Sequence, residues 1–102
     1  MLQAQPKNAA AAMNVAVGLQ RLGRVDEAEL AFTAAIKIDP KFSKAHVNLA
    51  DLKLQQGDLD SALSVCESYL KLHPGNTDLL AFKILVLFEK GREDLASELL
   101  DY

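Results

Sequence analysis

Cysteine occurs once and histidine twice, and each scarcity removes a class of function. A single thiol, Cys66, supports neither an internal disulfide framework nor a multi-cysteine metal site. It fits a reducing compartment. His46 and His73 are not spaced as a helical ligand pair, and no H-E-x-x-H, CxxC, Walker loop or G-x-G-x-x-G occurs. Ser61, Ser64 and Ser68 share one stretch with no histidine placed to activate them. There is no run of five or more basic residues, and the net charge is −3 with a pI near 5.2. Binding that rests on neutralising phosphates, whether of nucleic acid or of a membrane surface, is therefore not expected. The longest apolar stretch, Leu79 to Phe88, is broken by Lys83 and reaches only about half of the roughly 20 residues that span a bilayer. The first residues, MLQAQPKN, lack the basic flank and apolar core of a signal peptide. These absences point to a cytoplasmic chain with no enzymatic chemistry, no cofactor and no metal.

Half of the 102 residues are hydrophobic and a quarter are charged, a balance that suits one small globular domain with a modest core. The charge drifts along the chain. Residues 1–42 carry +1, residues 43–76 carry −1 and residues 77–102 carry −3.

The informative feature is a ruler. Pro6, Pro40 and Pro74 stand 34 residues apart, and the same step carries Gly23 onto Gly57 and Gly91, and Ala28 onto Ala62 and Ala96. A helix breaker, a left-handed-turn former and a small packing residue recur together, which one shared repeating unit explains. At this period the unit expected is a helix-turn-helix pair. Asn8, Ser43 and Asn76 or Thr77 stand as N-caps, whose side chains accept from free backbone N–H groups. Gly23, Gly57 and Gly91 stand as helix stops. Asp26 and Glu27, Asp58 and Asp60, and Glu93 and Asp94 then open the second helix of each pair, where the helix dipole favours negative charge.

Helices A and B of repeat one are expected over about 8–22 and 26–38, and turns this short make neighbours antiparallel. Ala16 and Ala50 should face Ala28 and Ala62, and Ile84, in the third such slot, should hold its pair slightly further apart. Leu19, Phe32, Leu49, Tyr69 and Leu80 should fill the space between layers. Cys66 shares a slot with Phe32 and Leu100 and reads as a core filler, since burial in apolar surroundings raises a thiol's pKa. His46 reads as packing and His73 as a linker residue.

The middle row, SKAHVNLADLKLQQGDLDSALSVCESYLKLHPGN, closely resembles the tetratricopeptide repeat family, whose small, glycine, alanine and proline slots fall on Ala50, Gly57, Ala62 and Pro74. The resemblance implies an all-α fold: a right-handed superhelical stack of antiparallel helix pairs, about three 34-residue repeats in a single domain over residues 1–102. Its parts would be the tail of a preceding repeat at 1–8, repeats at 9–42 and 43–76, and a truncated third at 77–102. Beginning late in one unit and stopping inside another reads as a piece of a longer protein, or as two partial ends that cap the stack. Lys53 and Lys83 depart from the family's large apolar slots and read as rim lysines whose stems lie on apolar surface.

In such stacks the A helices line a concave groove. The family pattern places there Ala10, Met13, Asn14, Val17, Gln20 and Arg21, then Lys44, Val47, Asn48, Asp51, Leu54 and Gln55, then Asp78, Ala81, Phe82, Leu85, Phe88 and Glu89. Met13, Val17, Val47, Leu54, Phe82, Leu85 and Phe88 would make that wall apolar, as a binding surface is. The implied function is a non-catalytic interaction scaffold that holds a partner's peptide or helix. Two alternatives stand beside it: a self-associating module, pairing through an uncapped C-terminal helix that exposes Leu95, Leu99 and Leu100, and the helical adaptor of a larger enzyme such as an oxygenase. The family's carboxylate clamp for chaperone tails is disfavoured, because its slots hold Met13, Val17, Asn48, Asp78 and Phe82, of which only Asn48 matches and Asp78 has the wrong sign.

Overall fold

Two glycines set the course of the chain. Gly23 and Gly57 take φ of +81° and +80°, a left-handed conformation that a Cβ would strain. Each closes a helix in the same way. The Gly23 N–H donates to the Gln20 carbonyl and the Arg24 N–H to the Leu19 carbonyl; Gly57 and Asp58 repeat the pattern onto Leu54 and Lys53. This paired closure satisfies carbonyls that the helix end leaves free.

The computed structural model describes the backbone of residues 8–100 and the side chains of residues 8–92. Within these bounds the chain forms α1 (Ala9–Arg21), α2 (Val25–Ile38), α3 (Ser43–Gln55), α4 (Leu59–Leu72) and α5 (Thr77–Leu100), with no strand among the described residues. Consecutive helices pack on one another, α3 also touches α1 and α5, and the result is an all-α solenoid. The helices α1, α3 and α5 form one layer, and α2 and α4 the other. No helix among the described residues is long and apolar enough to cross a membrane.

Asn8 caps α1 by accepting from the Ala11 N–H at 2.9 Å, Asp58 caps α4 by accepting from Ser61 at 3.1 Å, and Asn76 caps α5 by accepting from Leu79 at 3.0 Å. Two hydrogen bonds from Ser61 hold the Asp58 carboxyl below its ordinary range. Ser43 departs from expectation. It is the first helical residue rather than the cap, and Phe42 holds the cap position with extended backbone and no side-chain bond. Phe42 packs on the α1–α2 core, so apolar burial decides where this helix begins.

The core forms where side chains are small. Ala16, Ala28, Ala50 and Ala62 are all fully buried, and Ala16 shares a cluster with Ala28, Phe32 and Ala35. Cys66 is fully buried too. Desolvation, reinforced by the nearby Glu67 charge, raises its pKa to about 11. The thiol is a packing group. The two lysines lie at the rim: Lys53 reaches Glu29 at 2.9 Å, tying α3 to α2, and Lys83 reaches Glu67 at 3.6 Å, tying α5 to α4.

The link between α2 and α3 is fastened by an aromatic stack. Tyr69 lies between His46 and His73, with ring centroids 4.5 and 4.7 Å away, and donates its hydroxyl to the Lys41 carbonyl at 2.8 Å. His46 Nε2 bonds the Pro40 carbonyl at 2.9 Å. A carbonyl only accepts, so this nitrogen carries the proton of the neutral ring. Burial lowers the His46 pKa, the Pro40 bond works against that shift, and the charge of His73 adds to it.

The third repeat breaks the rule. Gly91 does not stop a helix: α5 runs through it, and no left-handed conformation occurs there. Arg92 reaches back across it to Glu89 at 3.3 Å, and its guanidinium lies 6.0 Å from the Phe88 ring centroid. Bulk in the small slot is the physical reason. Ile84 occupies the position that Ala16 and Ala50 hold, so a second helix cannot approach as closely over a short turn. Ile84 is 67% exposed and Leu80, expected between layers, is 39% exposed. Among the described residues α5 is not followed by a separate helix B, and the side chains of Leu95, Ala96, Leu99 and Leu100 lie outside the described residues.

Two glycines should respond oppositely to alanine. Gly57→Ala forces a side chain into left-handed backbone and should destabilise by about 1–2 kcal/mol. Gly91→Ala lies in a helix and should stabilise by up to about 1 kcal/mol. Urea denaturation followed by circular dichroism reads both. A loss of stability in Gly91→Ala as large as that in Gly57→Ala would contradict the continuous helix.

Stability should also fall from pH 7.5 to 5.5. The folded state holds His46 neutral more strongly than the unfolded chain does, so unfolding takes up protons as pH drops through the unfolded value near 6.5. The loss should be small, because the ring is only half-buried and screened. In His46→Gln, whose amide can still donate to Pro40, the urea midpoint should change less between these pH values.

Candidate functional site

The face of the α1–α3–α5 layer turned away from α2 and α4 carries the groove positions, because residues three and four apart on each helix share one side. Between α3 and α5 lies a cavity of about 420 Å³ lined by Lys44, Val47, Asn48, Asp78, Ala81, Phe82 and Leu85. Val47 and Phe82 are half-buried and pack on the α4 core, which fixes the floor. Leu85 is exposed at its wall. Lys44 and Asp78, one on each helix, supply opposite charges to its rim, and neither makes an ion pair among the described residues.

A second cavity of about 350 Å³ lies between α1 and α3, lined by Val17, Gln20, Arg21, Asn48, Asp51 and Gln55. Its chemistry is polar. Gln20 donates to Gln55 across the two helices at 3.1 Å, and Gln55 donates to Asp51 at 2.8 Å. Asn48 lines both cavities, so the two adjoin at this residue and are together called the trough. The hydrogen-bonded chain is invisible in a repeat pattern, because Gln20 and Gln55 are 35 residues apart and meet only when α1 and α3 lie side by side.

Not every groove candidate is in this trough. Met13 is buried in the core and joins the cluster that also holds Ala45 and Leu52 of α3. Its unbranched thioether fills the α1–α3 seam, a use for which methionine is suited. Leu54 is half-buried against Leu59, Ala62 and Val86. Asn14 is exposed on α1 and lines neither cavity. Phe88 is exposed further along α5 beneath Arg92, and Glu89 is engaged by the same arginine. Among the described residues no group of three His, Cys, Asp or Glu could hold a metal ion.

The arrangement suits recognition. A dry floor of Val47 and Phe82 can take a large apolar side chain, and the separated Lys44 and Asp78 can orient what is attached to it.

Comparison with known proteins agrees with the architecture. A family model described as tetratricopeptide repeat matches residues 2–41, 16–77 and 47–102. Over 57 residues the chain is 42% identical to the inactive TPR repeat-containing thioredoxin TTL3 of Arabidopsis thaliana, covering 56% of this chain and 8% of that protein. Over 82 residues it is 33% identical to cellulose synthase operon protein C of Pseudomonas fluorescens (strain SBW25), covering 80% of this chain and 6% of that one. The chain thus spans less than a tenth of the length of either curated relative. Among solved structures, the NMR structure of the second TPR domain of human RPAP3 in complex with the HSP70 peptide SGPTIEEVD superposes with a TM-score of 0.65 at 29% identity. That match covers 78% of this chain and 67% of the other.

Proposed function

Because the chain belongs to the tetratricopeptide repeat family, we propose that it is an interaction scaffold that holds a short segment of a partner protein in the trough across α1, α3 and α5. The observation that carries this reading is the apolar cavity of Val47, Phe82 and Leu85, rimmed by Lys44 and Asp78. An apolar floor with sparse, separated charges selects for a peptide or amphipathic helix anchored by one large apolar side chain. No chemistry is required of the groove. The similar RPAP3 domain, solved with a peptide, supports a peptide as the class of ligand.

The groove's charges narrow the choice. The HSP70 peptide held by that neighbour ends in two glutamates, a valine and an aspartate. In this chain Asp78 shares one cavity with Lys44 and Asp51 shares the other with Arg21, so the trough lacks the net positive charge that would favour an acidic tail. An acidic chaperone tail is therefore not the proposed ligand. A segment with an apolar anchor, a basic group toward Asp78 and an acidic or amide group toward Lys44 is.

Selection from a displayed library of random 12-residue peptides against the 102-residue chain should enrich sequences with one large aliphatic or aromatic residue. Leu85→Asp, at an exposed wall position, and Val47→Asp should each weaken the selected peptide by about 30-fold or more, as loss of a central anchor pocket does. Far-UV circular dichroism should be unchanged for Leu85→Asp. Retention of binding by both variants would place the ligand elsewhere and remove the groove from consideration.

A further inference from the structure

The polar cavity between α1 and α3 holds charges of both signs that do not meet. Arg21 and Asp51 line it together, yet no ion pair joins them, and the Arg21 side chain has no partner among the described residues. The Asp51 carboxylate only accepts, so it fixes the direction of the amides beside it. Gln55 turns its NH2 toward Asp51 and its oxygen toward Gln20, whose NH2 donates to it. Among the described residues the Gln20 oxygen is left without a partner, and so is the side-chain amide of the half-buried Asn48.

We propose that this cavity holds the side-chain carboxamide of a glutamine or asparagine, carried by the same partner segment whose apolar residue fills the α3–α5 cavity. The assignment rests on the groove being the binding surface. A carboxamide both donates and accepts and carries no net charge. Its oxygen can accept from Arg21 while its NH2 donates to the Gln20 oxygen or to Asp51, which adds a third amide to the existing chain. A carboxylate would satisfy Arg21 but stand beside Asp51, and an ammonium would do the reverse. Each would bring like charges together. An aliphatic group would strip water from the guanidinium and return no hydrogen bond, which lowers affinity.

The placement of the two cavities sets the form of the segment. On α3 the apolar cavity is lined by Lys44, Val47 and Asn48 and the polar one by Asn48, Asp51 and Gln55, so the second lies about 7 Å further along the helix. It also lies on the opposite flank of α3, about 9 Å across at the usual spacing of packed helices. Together these steps separate the cavities by roughly 12 Å. That is the reach of about four residues of extended chain, and residues four apart in such a chain point the same way. A helical segment fits less well. Its contact face is an apolar stripe renewed at every turn, whereas the trough is apolar at one end and lined by amides and charges at the other. The ligand is an extended segment with an apolar anchor and a carboxamide about four residues apart.

Peptides selected from the displayed library should carry glutamine or asparagine about four positions from the apolar anchor. In titration calorimetry of one such peptide, replacing the carboxamide by the isosteric carboxylate or by an aliphatic group of the same length should each weaken binding by about tenfold. Arg21→Met, at an exposed position, should weaken the carboxamide peptide by a similar factor and the aliphatic peptide hardly at all. Asp51→Asn, which can still accept from Gln55, removes the anion and should reverse the order, so that the carboxylate peptide binds better than the carboxamide one. Equal weakening of all three peptides by Asp51→Asn would show a structural role only and overturn the assignment. Peptides that lose affinity with Leu85→Asp yet tolerate the aliphatic replacement would overturn the carboxamide subsite and leave the groove standing, whereas binding indifferent to Leu85→Asp would remove both. Selected carboxamides about seven or eight residues from the anchor, as on one face of a helix, would overturn the extended form.

Discussion

Everything in this molecule follows from how closely two antiparallel helices can approach. Alanine at one position of each helix allows backbones to come together, and a left-handed glycine between them turns the chain back within three or four residues. Where both conditions hold, at Ala16, Gly23 and Ala28 and again at Ala50, Gly57 and Ala62, a hairpin forms. Where the first fails, at Ile84, the turn fails with it and the helix continues. A few methylene groups in one slot thus separate a closed pair from an open helix with an apolar face.

The groove is a by-product of the same packing. Stacking hairpins sets α1, α3 and α5 side by side, and their shared face is spared from the core because α2 and α4 cover only the opposite one. Val47 and Phe82 gain rigidity from the α4 core below them while leaving surface toward solvent, which is what a preformed anchor pocket needs. The polar cavity between α1 and α3 is organised differently, by a side-chain hydrogen-bond chain from Gln20 through Gln55 to Asp51. The trough therefore offers an apolar region for an apolar group and a polar one for backbone or polar contacts.

Local capping was legible where a side chain acts on its own turn. Asn8, Asp58 and Asn76 lie at the helix starts that their chemistry announces, and Gly23 and Gly57 at the ends. Ser43 was misplaced because Phe42, beside it, gains more by packing on the core than a serine cap supplies. Met13 was misplaced for a related reason. Its helical position suits a groove, yet its flexible side chain reaches the seam with α3, and no pattern within one helix encodes a neighbour's distance.

What the residues alone determine here is periodic: the 34-residue step, the helical class of the fold, the left-handed turns at Gly23 and Gly57, two of the three glycine stops that the step marks, and the candidate face of each helix. Those properties depend on neighbours a few positions away, which a linear string displays. What only the tertiary structure decided is the course of α5 through Gly91, the burial of Met13 and the junction of two cavities at Asn48. Each depends on the separation between helices, and that separation is fixed by the bulk of side chains drawn from distant repeats.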